Sequence, residues 1–178
     1  MVIHRRRFLG AALGALGAGA VARPAEAAAP RSLAFYNTHT GESLKATYWE
    51  GGSYVPDALD AFNHILRDFR TGDVKPISPD LFDLVSNLRA RLDTRETIQI
   101  ISGYRSPATN ASLHARSDGV ATHSLHMQGE AMDLRIAGVD LDRIRDAALS
   151  LQGGGVGYYP QSQFVHMDVG RVRRWNGA

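Results

Sequence analysis

The chain has 178 residues, of which 44% are hydrophobic and 21% charged, carries a formal net charge of +2, and contains no cysteine. That length and balance suit one globular domain with a sizeable core, and exclude a disordered chain or a repeat array. Without cysteine there are no disulfides, thiolate zinc sites or lipid-modified cysteines, so any metal must be held by His, Asp or Glu.

Residues 1–27 read as an export signal. Arg5, Arg6 and Arg7 form a basic front, a weakly hydrophobic run of mostly Ala, Gly and Leu follows from Phe8 to Ala22, and Ala25-Glu26-Ala27 supplies a cleavage pattern. The paired arginines ahead of Phe8-Leu9 resemble a twin-arginine signal, a route that carries folded proteins. The mature chain, 28–178, is then expected in the periplasm or cell envelope with no stable membrane insertion. An uncleaved anchor is the rival reading, and the run is short for a bilayer span. Removing residues 1–27 takes Lys+Arg from 20 to 16 and Asp+Glu from 18 to 17, a mature charge of about −1. The high pI belongs to the leader, and a nucleic-acid footprint is not supported.

Along the mature chain, residues 33–36 and 44–49 read as short strands joined by the polar stretch 37–43. Leu59, Phe62, Ile65, Leu66 and Phe69 share one face of a helix over 58–69. Ser78-Pro79 opens a second helix, with Leu81, Leu84, Val85, Leu88 and Leu92 on its buried stripe. The β-branched run 97–101 reads as a core strand ending at Ser102-Gly103, and Ser106-Pro107 starts a short helix over 106–116. A strand at 131–136, a helix at 141–151 stopped by Gly153-Gly154-Gly155, and strands at 156–159 and 164–169 complete the pattern. Together they predict a single α+β domain, with helices packed on one side of a small antiparallel sheet built in the second half of the chain.

His126, Asp133 and His166 have the residue types of a metal site. A turn at Gly129 brings His126 towards Asp133, and period-two alternation in 164–168 puts Phe164, His166 and Asp168 on one face, with Val165 and Met167 on the other. A hydrogen-bonded structural histidine is nonetheless the commoner role for a lone His on a strand. His114 and His123, in a short helix and a polar loop, rate no higher.

The stretch Ser124-Leu125-His126-Met127-Gln128-Gly129-Glu130-Ala131-Met132-Asp133 resembles the Ser-x-His-x-x-Gly-x-Ala-x-Asp signature of the zinc peptidases that include D-Ala-D-Ala carboxypeptidases, the vancomycin-resistance dipeptidase and hedgehog-like domains. Val165-His166-Met167-Asp168 is similar to their second ligand strand, and Ser102-Gly103-Tyr104-Arg105-Ser106 to the loop ahead of the signature. The span Ile98 to Trp175 resembles, more narrowly, the murein endopeptidase K group.

The resemblance implies one Zn2+ per chain held by His126, Asp133 and His166, with Arg105 facing the substrate as a catalytic and binding group. It implies that Ser124 either binds substrate or orients His126. Several branches place an acidic general base three positions before the last histidine, where this chain has Gln163. Asp168, about 7 Å along the strand from His166, is then either the catalytic base or the partner that fixes a ligand histidine. The implied activity is hydrolysis of amide bonds in peptidoglycan cross-links by an exported zinc metallopeptidase. A D,D-carboxypeptidase is the enzymatic alternative, and a non-catalytic wall-binding domain is the reading that Gln163 favours.

Overall fold

A computed structural model describes residues 29–116 and 120–177. The segment read as an export signal lies outside them. Strands β1 (Arg31–Asn37) and β2 (Ser43–Glu50) form the expected hairpin, extended by the two-residue β3 (Ser53–Tyr54). After helices α1 (Pro56–Ile65) and α2 (Pro79–Arg91), β4 (Ile98–Ser102) returns to pair with β1 in parallel. Helix α3 (Pro107–His114), a 3-10 turn at Leu125–Gln128, β5 (Ala131–Ile136), α4 (Leu141–Leu151), β6 (Gly155–Tyr159), β7 (Phe164–Asp168) and β8 (Arg173–Asn176) follow.

All eight strands form one sheet in the order β3-β2-β1-β4-β5-β7-β6-β8. The α+β class is as expected, but the sheet is larger than the small antiparallel one anticipated, and it is mixed. An isolated hairpin is marginal in water, so β1–β2 extends the main sheet rather than standing apart. The connection through α1 and α2 sets β1 and β4 parallel, and β8 lies parallel to β6.

Three of the helices begin on a proline, whose fixed φ suits the first turn and whose missing N–H costs nothing there. α1 stops at Ile65 rather than Phe69, because Leu66 O accepts from Tyr104 N at 2.7 Å and Asp68 N donates to Asp73 O at 3.0 Å, which turns the chain out of the helix. α4 closes on a left-handed Gln152 (φ 51°), one residue before the glycines expected to stop it.

α1 lies against β2, α2 against β1, and α4 against β5, β6 and β7. Under them Phe35, Phe62 and Phe82 pack with ring centroids 5.0 to 6.3 Å apart. Each such buried ring contributes on the order of 2 kcal/mol. Met132, Leu134, Ile136, Val165 and Met167 supply the same core from β5 and β7. Strand alternation therefore sends Asp133, His166 and Asp168 to the opposite face. Packing on one face of the sheet thus decides which side chains meet on the other.

Candidate metal centre

Strands β5 and β7 are adjacent, and Asp133 is the direct cross-strand partner of His166. His126 reaches them from the 3-10 turn. Ser124 caps that turn, its Oγ accepting from His126 N at 3.3 Å, and Gly129 ends it at φ 74°. A Cβ at Gly129 would stand 2.3 Å from Pro76 O, so both conformation and space demand glycine there.

The three side chains are buried, with His126, Asp133 and His166 at 2%, 5% and 8% exposure. His126 Nε2 is 3.2 Å from Asp133 Oδ1 and 3.2 Å from His166 Nδ1, and His166 Nδ1 is 2.8 Å from Asp133 Oδ1. The outer nitrogens decide the tautomers. His126 Nδ1 lies 2.7 Å from Gly103 O, which only accepts, so that nitrogen carries the proton. His166 Nε2 lies 3.0 Å from Asp168 Oδ2 and donates to it. In its neutral form each ring then turns a lone pair inward beside the Asp133 carboxylate.

With both rings neutral, three acceptor atoms stand together with no hydrogen between them, an arrangement a cation would satisfy. Zinc bonds of about 2.0 to 2.2 Å place tetrahedral ligand atoms roughly 3.3 to 3.6 Å apart, near the two 3.2 Å separations and wider than the 2.8 Å one, and three protein ligands leave a fourth position open. The two histidines differ in their electrostatics. Burial holds His126 below its ordinary pKa and therefore neutral. At His166 burial pulls the same way, but the Asp133 and Asp168 carboxylates outweigh it and hold the imidazole above its usual value. Burial opposes ionisation of Asp133 as well, yet His126 and His166 keep it well below the usual carboxylate range.

Arg105 stands beside this cluster. Its backbone N donates to His126 O at 3.2 Å, and its Nη2 lies 3.5 Å from Asp133 Oδ2. Asn110 Oδ1 and Ser102 Oγ accept from it only at 3.5 Å, and its buried Nε has no partner. Burial lowers its pKa, with Asp133 acting the other way. This guanidinium retains donor capacity at the edge of the cluster.

Asp168 is fully buried behind His166. Its carboxylate accepts from Gly155 N at 3.0 Å, Gly170 N at 2.9 Å, Arg173 at 2.9 and 2.6 Å, and His166. Burial raises its pKa, but these donors, His166 and Arg173 first, hold it well below the usual range. Gln163 is exposed, and its side-chain amide donates to Pro160 O in the β6–β7 turn. His114 Nδ1 contacts Val120 O, and neither His114 nor His123 joins the cluster.

The sequence reading missed the Gly103 carbonyl, Arg173 and Asn110, because their roles rest on main-chain and cross-loop contacts. A faint signal was present at Gly155. A Cβ there would strike both Arg173 and Asp168, so a small residue on that face of β6 marks a side chain lying over the strand.

Among the described residues, the fold brings together one buried group of three side chains that could hold a metal ion and leave a position open. The family model described as peptidoglycan L,D-endopeptidase MepK matches residues 25–175, and the chain belongs to this family. The peptidoglycan L,D-endopeptidase MepK of Escherichia coli (strain K12) is 48% identical, with 97% of each chain covered. The probable peptidoglycan L,D-endopeptidase MepK of Haemophilus influenzae is 43% identical, over 84% of this chain and 81% of its own.

Proposed function

We propose that the chain is an exported, zinc-dependent peptidoglycan endopeptidase that hydrolyses amide bonds in peptide cross-links. The carrying observation is the convergence of three metal-ligating atoms from His126, Asp133 and His166 within 3.2 Å of one another. The family match and the names of relatives covering nearly the whole chain support the substrate. The basic, Ala/Gly-rich leader supports export into the compartment that holds peptidoglycan. None of the described helices is long and apolar enough to cross a membrane.

His126 Nε2, Asp133 Oδ1 and His166 Nδ1 would hold the zinc. The chemistry a bound zinc supplies is Lewis acidity, which polarises a carbonyl and makes water an effective nucleophile near neutral pH. Arg105 binds the substrate carbonyl and stabilises the oxyanion that develops on it, using the donors its own contacts leave unspent. Ser124 orients His126 by capping the turn that carries it. Asp168 holds His166 in the tautomer that turns Nδ1 inward. Supporting that role over the base is its bond to the ring nitrogen facing away from Asp133, together with the donors that fill its lone pairs.

Mass spectrometry of purified cross-linked muropeptide dimers incubated with the protein tests the reading. Conversion of dimers to monomers is expected. Intact dimers alongside monomers that have lost a terminal D-alanine would replace it with the D,D-carboxypeptidase.

A further inference from the structure

Next to the cluster, on the same sheet face, lies a group of side chains that the chemistry above leaves unused. Gly157 is the cross-strand partner of His166, and Tyr159 of Phe164. In β6 the alternation sends Val156 and Tyr158 to the helix-covered core and Gly157 and Tyr159 to the His166 face. A Cβ at Gly157 would lie 2.6 Å from the Trp175 ring, so the glycine lets that indole lie flat over the strand. Trp175 then stands 5.1 Å from the His166 ring, centroid to centroid. Its Nε1 donates to Tyr159 Oη at 2.9 Å, and the Tyr159 ring stacks on Phe164 at 4.4 Å.

The result is a shelf of three half-buried rings, Tyr159, Phe164 and Trp175, running outward from His166. Arg105 follows β4, on the opposite side of β5 and β7. The cluster therefore sits between a guanidinium on one flank and an apolar shelf on the other. Arg173, the charged group 5.0 Å from the Trp175 ring, already gives both its Nη atoms to Asp168, so it presents little charge to a ligand. Tyr159 Oη accepts from Trp175 and keeps its own hydrogen.

We propose that Tyr159, Phe164 and Trp175 form a substrate subsite that holds a methylene-rich side chain of the residue bearing the reacting amide, with the Tyr159 hydroxyl donating to an acceptor on that residue. The identity of the occupant rests on the endopeptidase reading. Distance selects it. Adjacent strands are about 4.8 Å apart, so Tyr159 on β6 and Trp175 on β8 lie one and two strand spacings from β7, and Phe164 sits two residues, about 7 Å, along β7 from His166. That is the reach of a side chain on the reacting residue, and too near for sugar rings several residues away. Apolar methylenes over flat rings lose water on both sides, and the hydroxyl fixes their register.

The test uses the zinc-loaded chain with a purified muropeptide dimer. Turnover is measured for wild type, Tyr159→Phe and Trp175→Phe, zinc content is measured for each, and the Trp175 indole N–H resonance is followed as dimer is added. The subsite predicts a resonance that moves, and a KM about 3- to 10-fold higher for Tyr159→Phe, which loses one neutral hydrogen bond to substrate and also the acceptor of the Trp175 indole N–H, with zinc content and kcat nearly unchanged. Wild-type cleavage with a static resonance and both variants within twofold would overturn the subsite and leave the endopeptidase reading standing. A moving resonance, weakened by Tyr159→Phe, without product release would support the subsite and overturn the endopeptidase. Neither movement nor cleavage would overturn both.

Discussion

At Asp168 the two roles left open by the sequence part experimentally. A carboxylate that orients His166 affects metal binding, so Asp168→Asn should lower zinc affinity about 10- to 100-fold, measured by competition with a chelator. A general base would instead leave affinity alone and cost about 10²- to 10⁴-fold in kcat. For Arg105→Lys the expectation is reversed. The lysine keeps a charge but loses the planar fork, so kcat should fall on the order of 10²-fold with zinc content unchanged. The clustered residues were legible because His126 and Asp133 flank a glycine within ten residues and His166 sits at a strand position whose neighbours alternate. Arg173 was not legible. Five residues from Asp168 in sequence, it becomes a partner only because β8 pairs beside β6, a contact no local pattern announces.

Among elements, the turn at Leu125–Gln128 and the loop after β4 carry the site and are held by contacts from outside it. Gly129→Ala combines a left-handed backbone with a clash against Pro76 O. The cost should be roughly 3 kcal/mol in chemical denaturation, with weaker zinc binding because His126 is displaced. The β4 loop is tied down by Asp68, whose carboxylate accepts from Ser106 N at 2.9 Å and Arg70 N at 3.0 Å. Burial works against the ionised form, but hydrogen bonds from Thr109, Ser106 and Arg70 outweigh it and hold the pKa below 3.8. A depressed carboxylate stabilises the fold above its unfolded pKa, and that contribution is lost as pH falls through the folded one. Asp68→Asn should therefore cost about 1 to 2 kcal/mol at neutral pH, with the gap to wild type closing below about pH 4 in acid titrations of stability. The helices and the main strands were readable from periodicity and Ser-Pro starts. β8 was not, because its sequence, RRWN, has no apolar alternation and its pairing follows from the parallel approach to β6.

Across the whole molecule, the sheet would couple folding to a bound metal. The proposed ligands come from the 3-10 turn, β5 and β7, so an ion bound by all three would favour the folded chain over the unfolded one. At zinc about a thousandfold above its Kd the gain is about 4 kcal/mol, a rise of roughly 10 °C in Tm that His126→Ala or His166→Ala should abolish. The one-domain α+β architecture was legible from alternating periodicity. The full eight-stranded order was not, since it depends on the hairpin β1–β2 docking beside β4. The most direct test of the central claim is a titration of metal-free protein with zinc, reading cross-link cleavage in muropeptide dimers at each occupancy. Cleavage should rise in proportion to bound zinc and saturate at one ion per chain, with none for His166→Ala. A wild-type protein that fills to one zinc yet leaves the dimers intact, or cleaves them equally without metal, would contradict the account.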